Sequence, residues 1–184
     1  MPTLKETPSA RQQELLERAY EYSLGHGLAD LSLRPLATAI GSSPRVLLFL
    51  FGSKDGLIRA LLARARTDEL DLLQQIESQY DEPPGLTVVA RELWTWLAAP
   101  ERRPLMAFWV EAYGRSLVVP DGPWADYGRS TVEDWLELLK ASEPDAAEAR
   151  RTGVLAMLRG ALIDLLATGD LDRTTAAVED YLRD

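Results

Sequence analysis

The chain has 184 residues, 46% hydrophobic and 27% charged, with a net charge of −9 and no cysteine. That is enough chain for one good core or for a small module on a larger helical body, and it excludes disulfides, thiolate metal sites and a cysteine nucleophile. No apolar run is long enough to span a bilayer and no basic-then-apolar leader opens the chain, so the expectation is a cytoplasmic protein with no membrane partner.

No stretch combines strand-like alternation with a hairpin turn, and helical spacing recurs throughout, so the fold class is all-α. The first helix is predicted over about 9–24, opened by a Ser9/Gln12 capping box and stopped by Gly25 and Gly27. Its buried stripe is Leu15, Leu16, Ala19, Tyr20, Ser23 and Leu24. Two short helices follow, over about 33–40 and 44–51. Ser32 can cap the first and Pro35 falls in its first turn, where a missing N–H costs little. Gly41 makes the turn, Ser43-Pro44 starts the second helix, Gly52 ends it and Ser53 caps the next. Leu33, Leu36, Ala37, Ile40, Val46, Leu47, Leu50 and Phe51 supply their shared core.

A long helix is predicted over about 54–79, with Leu57, Ile58, Leu61, Leu62, Ala65, Leu70, Leu73 and Ile76 on its apolar side. The breaker Glu82-Pro83-Pro84-Gly85 separates it from a helix over about 86–98. Further helices are expected over about 104–118, 123–141 and 145–168. A last one begins at Asp172 or Thr174 and ends near 183.

Two short helices joined by a glycine turn cannot be stable alone, and packed on a neighbour they make a helix-turn-helix. In that motif the second helix presents its first residues to the major groove while flanking groups hold phosphates. Arg45 is the residue suited to guanine, through two parallel hydrogen bonds. Ser42 and Ser43 are short donors for phosphate or base, although Ser43 has an equal claim as a helix cap. Arg34 and Lys54 are candidate phosphate contacts, Arg34 with the alternative of a solvated charge. The charge distribution agrees. Residues 1–67 carry nine Lys/Arg against six Asp/Glu, whereas residues 68–184 carry 11 against 23. A mildly basic head can approach phosphate that an acidic body repels.

The stretch from Arg11 to Leu62 resembles the N-terminal region of TetR-family transcriptional regulators. The resemblance rests on Leu31-Ser32-Leu33-Arg34, Leu36-Ala37, Ile40-Gly41 and Phe51-Gly52-Ser53-Lys54-Asp55-Gly56-Leu57. It implies a helix-turn-helix head over 1–53 and a ligand-binding and dimerisation body over 54–184, in an all-helical homodimer. It further implies repression of a double-stranded DNA operator, relieved by a small molecule that changes the spacing of the heads. The DNA-facing set is then Ser32, Arg34, Ser42, Ser43, Arg45, Val46, Leu48, Phe49 and Lys54. The chain departs from the family at Leu48 and Leu50, where tyrosine and histidine are common, and at Arg45, where glycine is frequent. Leu47, Leu50 and Phe51 already fill the buried stripe, so Leu48 or Phe49 must face solvent or DNA.

An apolar, aromatic ligand pocket is expected from Trp94, Leu97, Met106, Phe108, Trp109, Val110 and Tyr113, taking a small apolar or amphipathic molecule. Glu111 in Phe-Trp-Val-Glu-Ala-Tyr is either a buried acceptor for a ligand, Arg91 or Arg115, or a surface charge. The dimer interface is expected on Val132, Trp135, Leu136 and Leu139 of one helix and Leu155, Leu158, Leu162 and Leu165 of the next. Met157 and Ala161 share that second stripe, with Gly153 and Gly160 allowing close approach, although both stripes could instead face the body's own core. Nothing points to an enzyme, a cofactor or a metal. His26 is the only histidine and reads as a loop residue, and no glycine-rich phosphate loop or nucleophile elbow occurs. The functional alternatives are a dimer of the same fold with weak or lost DNA binding, and a helical scaffold without a ligand.

Overall fold

The computed structural model describes residues 9–183, which form nine α-helices and two single-turn 3-10 segments, with no strand among them. α1 spans Ala10–His26, α2 Leu33–Ala39 and α3 Pro44–Phe51. The Ser9 hydroxyl accepts from the Gln12 amide at 3.2 Å, but the Gln12 side chain does not close the capping box. It donates instead to the Leu50 carbonyl at 3.0 Å and so ties α1 to the last turn of α3. Ser43 and Ser53 accept from the N–H groups of Val46 and Gly56, capping the helices they precede, while Ser32 starts α2 without a side-chain bond. α1 runs through Gly25 and ends at Gly27, so His26 closes a helix, its ring stacked 3.9 Å from that of Tyr22.

α4, Lys54–Glu77, is a rod about 36 Å long at 1.5 Å per residue. α1, α3 and α7 pack along it. Gly56 explains why the turn from α3 into α4 is so tight: a side chain there would run into the Phe51 carbonyl oxygen. The buried side of α4 includes Leu72, which was not expected there, and differs from expectation at Leu70 and Glu69. Leu70 is 44% exposed, and Glu69, only 3% exposed, takes the inward place. The steps 62, 65, 69, 72 and 76 trace a continuous helical stripe, and Leu70 lies off it.

α5 (Leu86–Leu97), α6 (Arg103–Val118), α7 (Tyr127–Ser142), α8 (Glu148–Thr168) and α9 (Leu171–Tyr181) complete the chain, with 3-10 turns at Pro100–Arg102 and Gly122–Trp124. Asp170, rather than Asp172 or Thr174, caps α9. α8 and α9 form a helical hairpin, and α6 bridges α1 on one side to α7 and α8 on the other. A single cluster of buried side chains runs from Leu15 in α1 to Leu182. Val46, expected in that core, lies outside it and is exposed.

Candidate functional site

Two surfaces have chemistry to offer. The first is the outer face of α2 and α3. Ser32, Arg34, Arg45, Val46, Leu48, Phe49 and Lys54 are all exposed there, while Ser42 and Ser43 are half-buried. Leu47 holds α3 down in the core, and one residue on, the helix turns Leu48 and Phe49 outward. Phe49 is 85% exposed, more than any other large apolar side chain described. The Ser43 hydroxyl is used as the cap, and the buried Ser42 hydroxyl has no partner.

The second is a cleft with a cavity volume of about 100 Å3, partly open to solvent, between α4, α6, α7 and α8. Leu97, Trp109, Val110, Tyr113, Leu158, Leu162 and Ile163 make most of its wall. Its polar groups are Glu69, Tyr113, Tyr127, Thr131 and Arg159. Glu69 is buried, and each of its oxygens holds a donor. One carboxylate oxygen accepts from the Trp135 indole N–H, and the other from Arg66 at 2.7 Å. Arg66 also pairs with Asp134 and donates to the Ser130 carbonyl at 3.0 Å. Burial raises the Tyr127 phenol well above its ordinary range, and the Glu69 charge adds to that shift. Loss of hydration lowers the pKa of the half-buried Arg159 guanidinium below its ordinary value.

Of the residues expected to line a pocket, Leu97, Trp109, Val110 and Tyr113 line this cleft and the other four do not. Trp94 is buried against α9, where its indole donates to the Thr175 hydroxyl at 3.0 Å. Phe108 points the other way along α6 and meets Tyr20 edge-on, with ring centroids 5.6 Å apart. Met106 lines a separate hollow between the α5–α6 turn and the α8–α9 hairpin. Glu111 is neither a ligand acceptor in this cleft nor a partner of Arg91 or Arg115. Its Oε2 accepts from the Leu28 backbone N–H at 2.9 Å, joining α6 to the loop between α1 and α2. Gly27 makes that approach possible, because a Cβ there would lie 2.9 Å from the same oxygen. Arg91 pairs with Glu179 instead, at 2.9 Å.

Most of the stripe residues expected at a dimer interface pack into the body's own core, the alternative that the sequence left open. Trp135, Leu139, Leu155, Leu158, Leu162 and Leu165 are buried within the single chain, because those stripes pack on the other helices of the same body. Trp135, Leu158 and Leu162 are cleft walls. Val132 and Leu136 keep partial exposure. Gly153 is occupied from within its own chain, by the Tyr181 hydroxyl, whereas Gly160 has open space around it. The face of α8 left to solvent carries Thr152, Ala156, Gly160, Ile163 and Ala167, at helical steps of three and four.

Sequence reasoning missed Glu69, Arg159, Tyr127, Thr131 and Ile163. Two of these carried a signal: Glu69 sits on the apolar stripe of α4, and Arg159 interrupts the apolar run from Val154 to Ile163.

This arrangement of the nine described helices has counterparts among solved structures. A TetR transcription regulator from Haloarcula marismortui ATCC 43049 superposes with a TM-score of 0.77 at 20% identity, over 94% of this chain and 96% of that one. This is the fold of the TetR regulators. The multidrug binding protein EbrR complexed with proflavin has the same fold, at a TM-score of 0.68 and 21% identity over 94% of this chain and 98% of its own. EbrR complexed with imidazole matches with the same TM-score at 20% identity, over 98% and 96% of the two chains. No protein-family model matches the sequence, and no curated protein matches it. Among the described residues no helix is long and apolar enough to cross a membrane.

Proposed function

We propose that this protein is a dimeric, ligand-responsive transcriptional regulator, acting in the cytoplasm as a repressor that a small molecule releases from its operator. The head, residues 1–53, holds DNA through Ser32, Arg34 and Arg45, with Lys54 beside it at the start of α4, and the body, residues 54–184, takes the ligand and the partner copy. The observation that carries this reading is the double duty of α6. One face of it lines the cleft with Trp109, Val110 and Tyr113, and another holds the loop before α2 through Glu111. A molecule in the cleft therefore presses on a helix bonded to the DNA-binding segment. That a protein of the same fold, EbrR, is a multidrug binding protein complexed with proflavin supports the ligand half of the reading. The small-residue face of α8, with Val132 and Leu136 beside it, is the surface assigned to a two-fold partner.

The test is fluorescence anisotropy with the duplex upstream of the gene, across a range of salt. A regulator binds with a log–log salt slope that steepens with each phosphate contacted, and loses the duplex when its cleft is filled. Saturable binding to no such duplex would sink the reading. Phe49 and Leu48 favour a second possibility, a ligand-binding dimer with weak sequence-specific DNA affinity. They put apolar surface where hydrogen-bond donors to phosphate and base are needed. Binding with a shallow slope and no preference among duplexes would select it.

A further inference from the structure

We infer that the cleft binds an amphipathic anion: an apolar body ending in a carboxylate that Arg159 grips. This rests on the cleft being a ligand site at all, as proposed above. It follows from which polar groups in the wall are already used. Glu69, the carboxylate in the wall, is already paired with Arg66 at 2.7 Å, and its other oxygen accepts from the Trp135 indole. A cationic ligand would have to share that carboxylate with Arg66.

The donors, by contrast, are in surplus. A guanidinium has five N–H groups. Arg159 uses them only in two long hydrogen bonds, 3.4 Å to the Tyr113 hydroxyl and 3.5 Å to the Thr131 hydroxyl, with its charge 4.9 Å from the centre of the Tyr113 ring. Among the described residues no carboxylate lies within ion-pairing distance of it, and Glu69, the acid whose charge reaches it, pairs with Arg66. The cost of partly burying Arg159 shows in its lowered pKa. Trp109, another wall residue, has a buried indole N–H with no acceptor. A guanidinium with spare N–H groups and no carboxylate partner suits a ligand that brings oxygens. The fork of a guanidinium matches a carboxylate through two parallel bonds. Leu97, Val110, Leu158, Leu162 and Ile163 offer the apolar surface for the rest of such a molecule. Ile163, 54% exposed in the single chain, lies where the cleft meets the α8 face assigned to the partner copy, so in the proposed dimer that copy borders the cleft mouth.

The experiment titrates the full chain with three probes of equal length, decanoate, 1-decanol and decyltrimethylammonium, each kept below its micellar concentration. Binding is read by calorimetry and by intrinsic tryptophan fluorescence, to which Trp109 and Trp135 in the cleft wall contribute two of the five indoles. Decanoate is expected to bind on the order of tenfold to a hundredfold tighter than decanol, with the cation weakest. In Arg159→Met that advantage disappears while decanol still binds, which also shows that the variant is folded. Equal affinity for decanoate and decanol in the unaltered protein overturns the anion assignment and leaves the cleft as an apolar ligand site. Preference for the cation, lost in Glu69→Gln, overturns it in favour of Glu69 as the charge partner. Binding of none of the three overturns this inference together with the ligand-binding reading on which it rests.

Discussion

Replacing Glu111 with alanine breaks the hydrogen bond between α6 and the loop that leads into the helix-turn-helix. The magnitude follows from its two oxygens. Oε2 accepts from the Leu28 N–H at 2.9 Å, and a hydrogen bond to a charged group contributes about 1.5–3 kcal/mol. Oε1 is buried with no partner, and its lost hydration offsets part of that gain. The alanine variant is therefore expected to lose roughly 1–2 kcal/mol, a fall in Tm of about 2–8 °C for a chain of this size. Glu111→Gln keeps an amide oxygen for Leu28 and removes the buried charge, so it should stay within about 1 kcal/mol of the parent. Melting curves followed by circular dichroism measure both. The functional arm measures duplex release by whichever ten-carbon probe binds tightest. Glu111→Ala should bind probe and duplex separately yet lose most of the coupling between them, since coupling energies of about 1–3 kcal/mol are the size of this one contact. If Glu111→Ala melts like the parent and still releases the duplex fully, Glu111 is not the link.

Other substitutions test the remaining contacts. Gly56→Ala should destabilise by about 1–3 kcal/mol in urea denaturation despite alanine's better helix propensity, because its methyl meets the Phe51 carbonyl. An unchanged midpoint would mean that the α3–α4 turn is looser than described. Phe49→Lys should leave stability within about 0.5 kcal/mol and, if α3 faces DNA, steepen the log–log salt slope of duplex binding by about 0.9. Gly160→Arg has room in the single chain, so it should fold normally yet halve the mass seen by light scattering; a dimer mass would place the interface elsewhere. At alkaline pH the sign is set by Tyr20 and Tyr127, whose phenols are held above their ordinary value of 10.0, chiefly by burial. The stabilisation they give is complete below pH 10 and shrinks as pH rises past it, because the unfolded chain releases those protons first. Absorbance at alkaline pH should therefore show two of the six tyrosines ionising only on unfolding.

Helix ends were legible wherever a local device set them. Ser43-Pro44, Gly52 and Ser53 act within a few residues, and α3 has the predicted bounds, 44–51. The cleft was harder because periodicity says that a face is buried without saying against what. Trp135, Leu158 and Leu162 have the spacing of an interface stripe, yet they face α4 and α6 of their own chain. Glu69 was hidden for a related reason. Beside Leu70 it looks like the polar partner of an apolar neighbour, and only the phase of the stripe, fixed by Leu62, Ala65, Leu72 and Ile76, turns it inward. The link at Glu111 joins residues 83 positions apart, and no local rule reaches that far.

In the proposed regulator, where the head can move is limited by a second set of contacts. The Tyr20 hydroxyl donates to Asp68 at 2.8 Å, and Arg64 donates to Glu17 at 2.8 Å while pairing with Asp68. These bonds clip α1 to the middle of α4, so the two helices shift together and the useful motion is that of α6 against both. Phe108 and Glu111 meet the head side, and Trp109, Val110 and Tyr113 meet the cleft, all within two turns of one rigid helix. A ligand can drive that motion only by its difference in affinity between the two arrangements. Taking a two-state equilibrium from 1:99 to 99:1 needs about 5.5 kcal/mol, or about 2.7 kcal/mol from each of two ligands in a dimer. A carboxylate on Arg159 could supply much of that second figure, but only if the bond exists in one arrangement alone. Arg159 lies on α8 and its partner Tyr113 on α6, so sliding α6 changes how far the guanidinium is already occupied. The anion's grip and the head's position are then set by the same displacement.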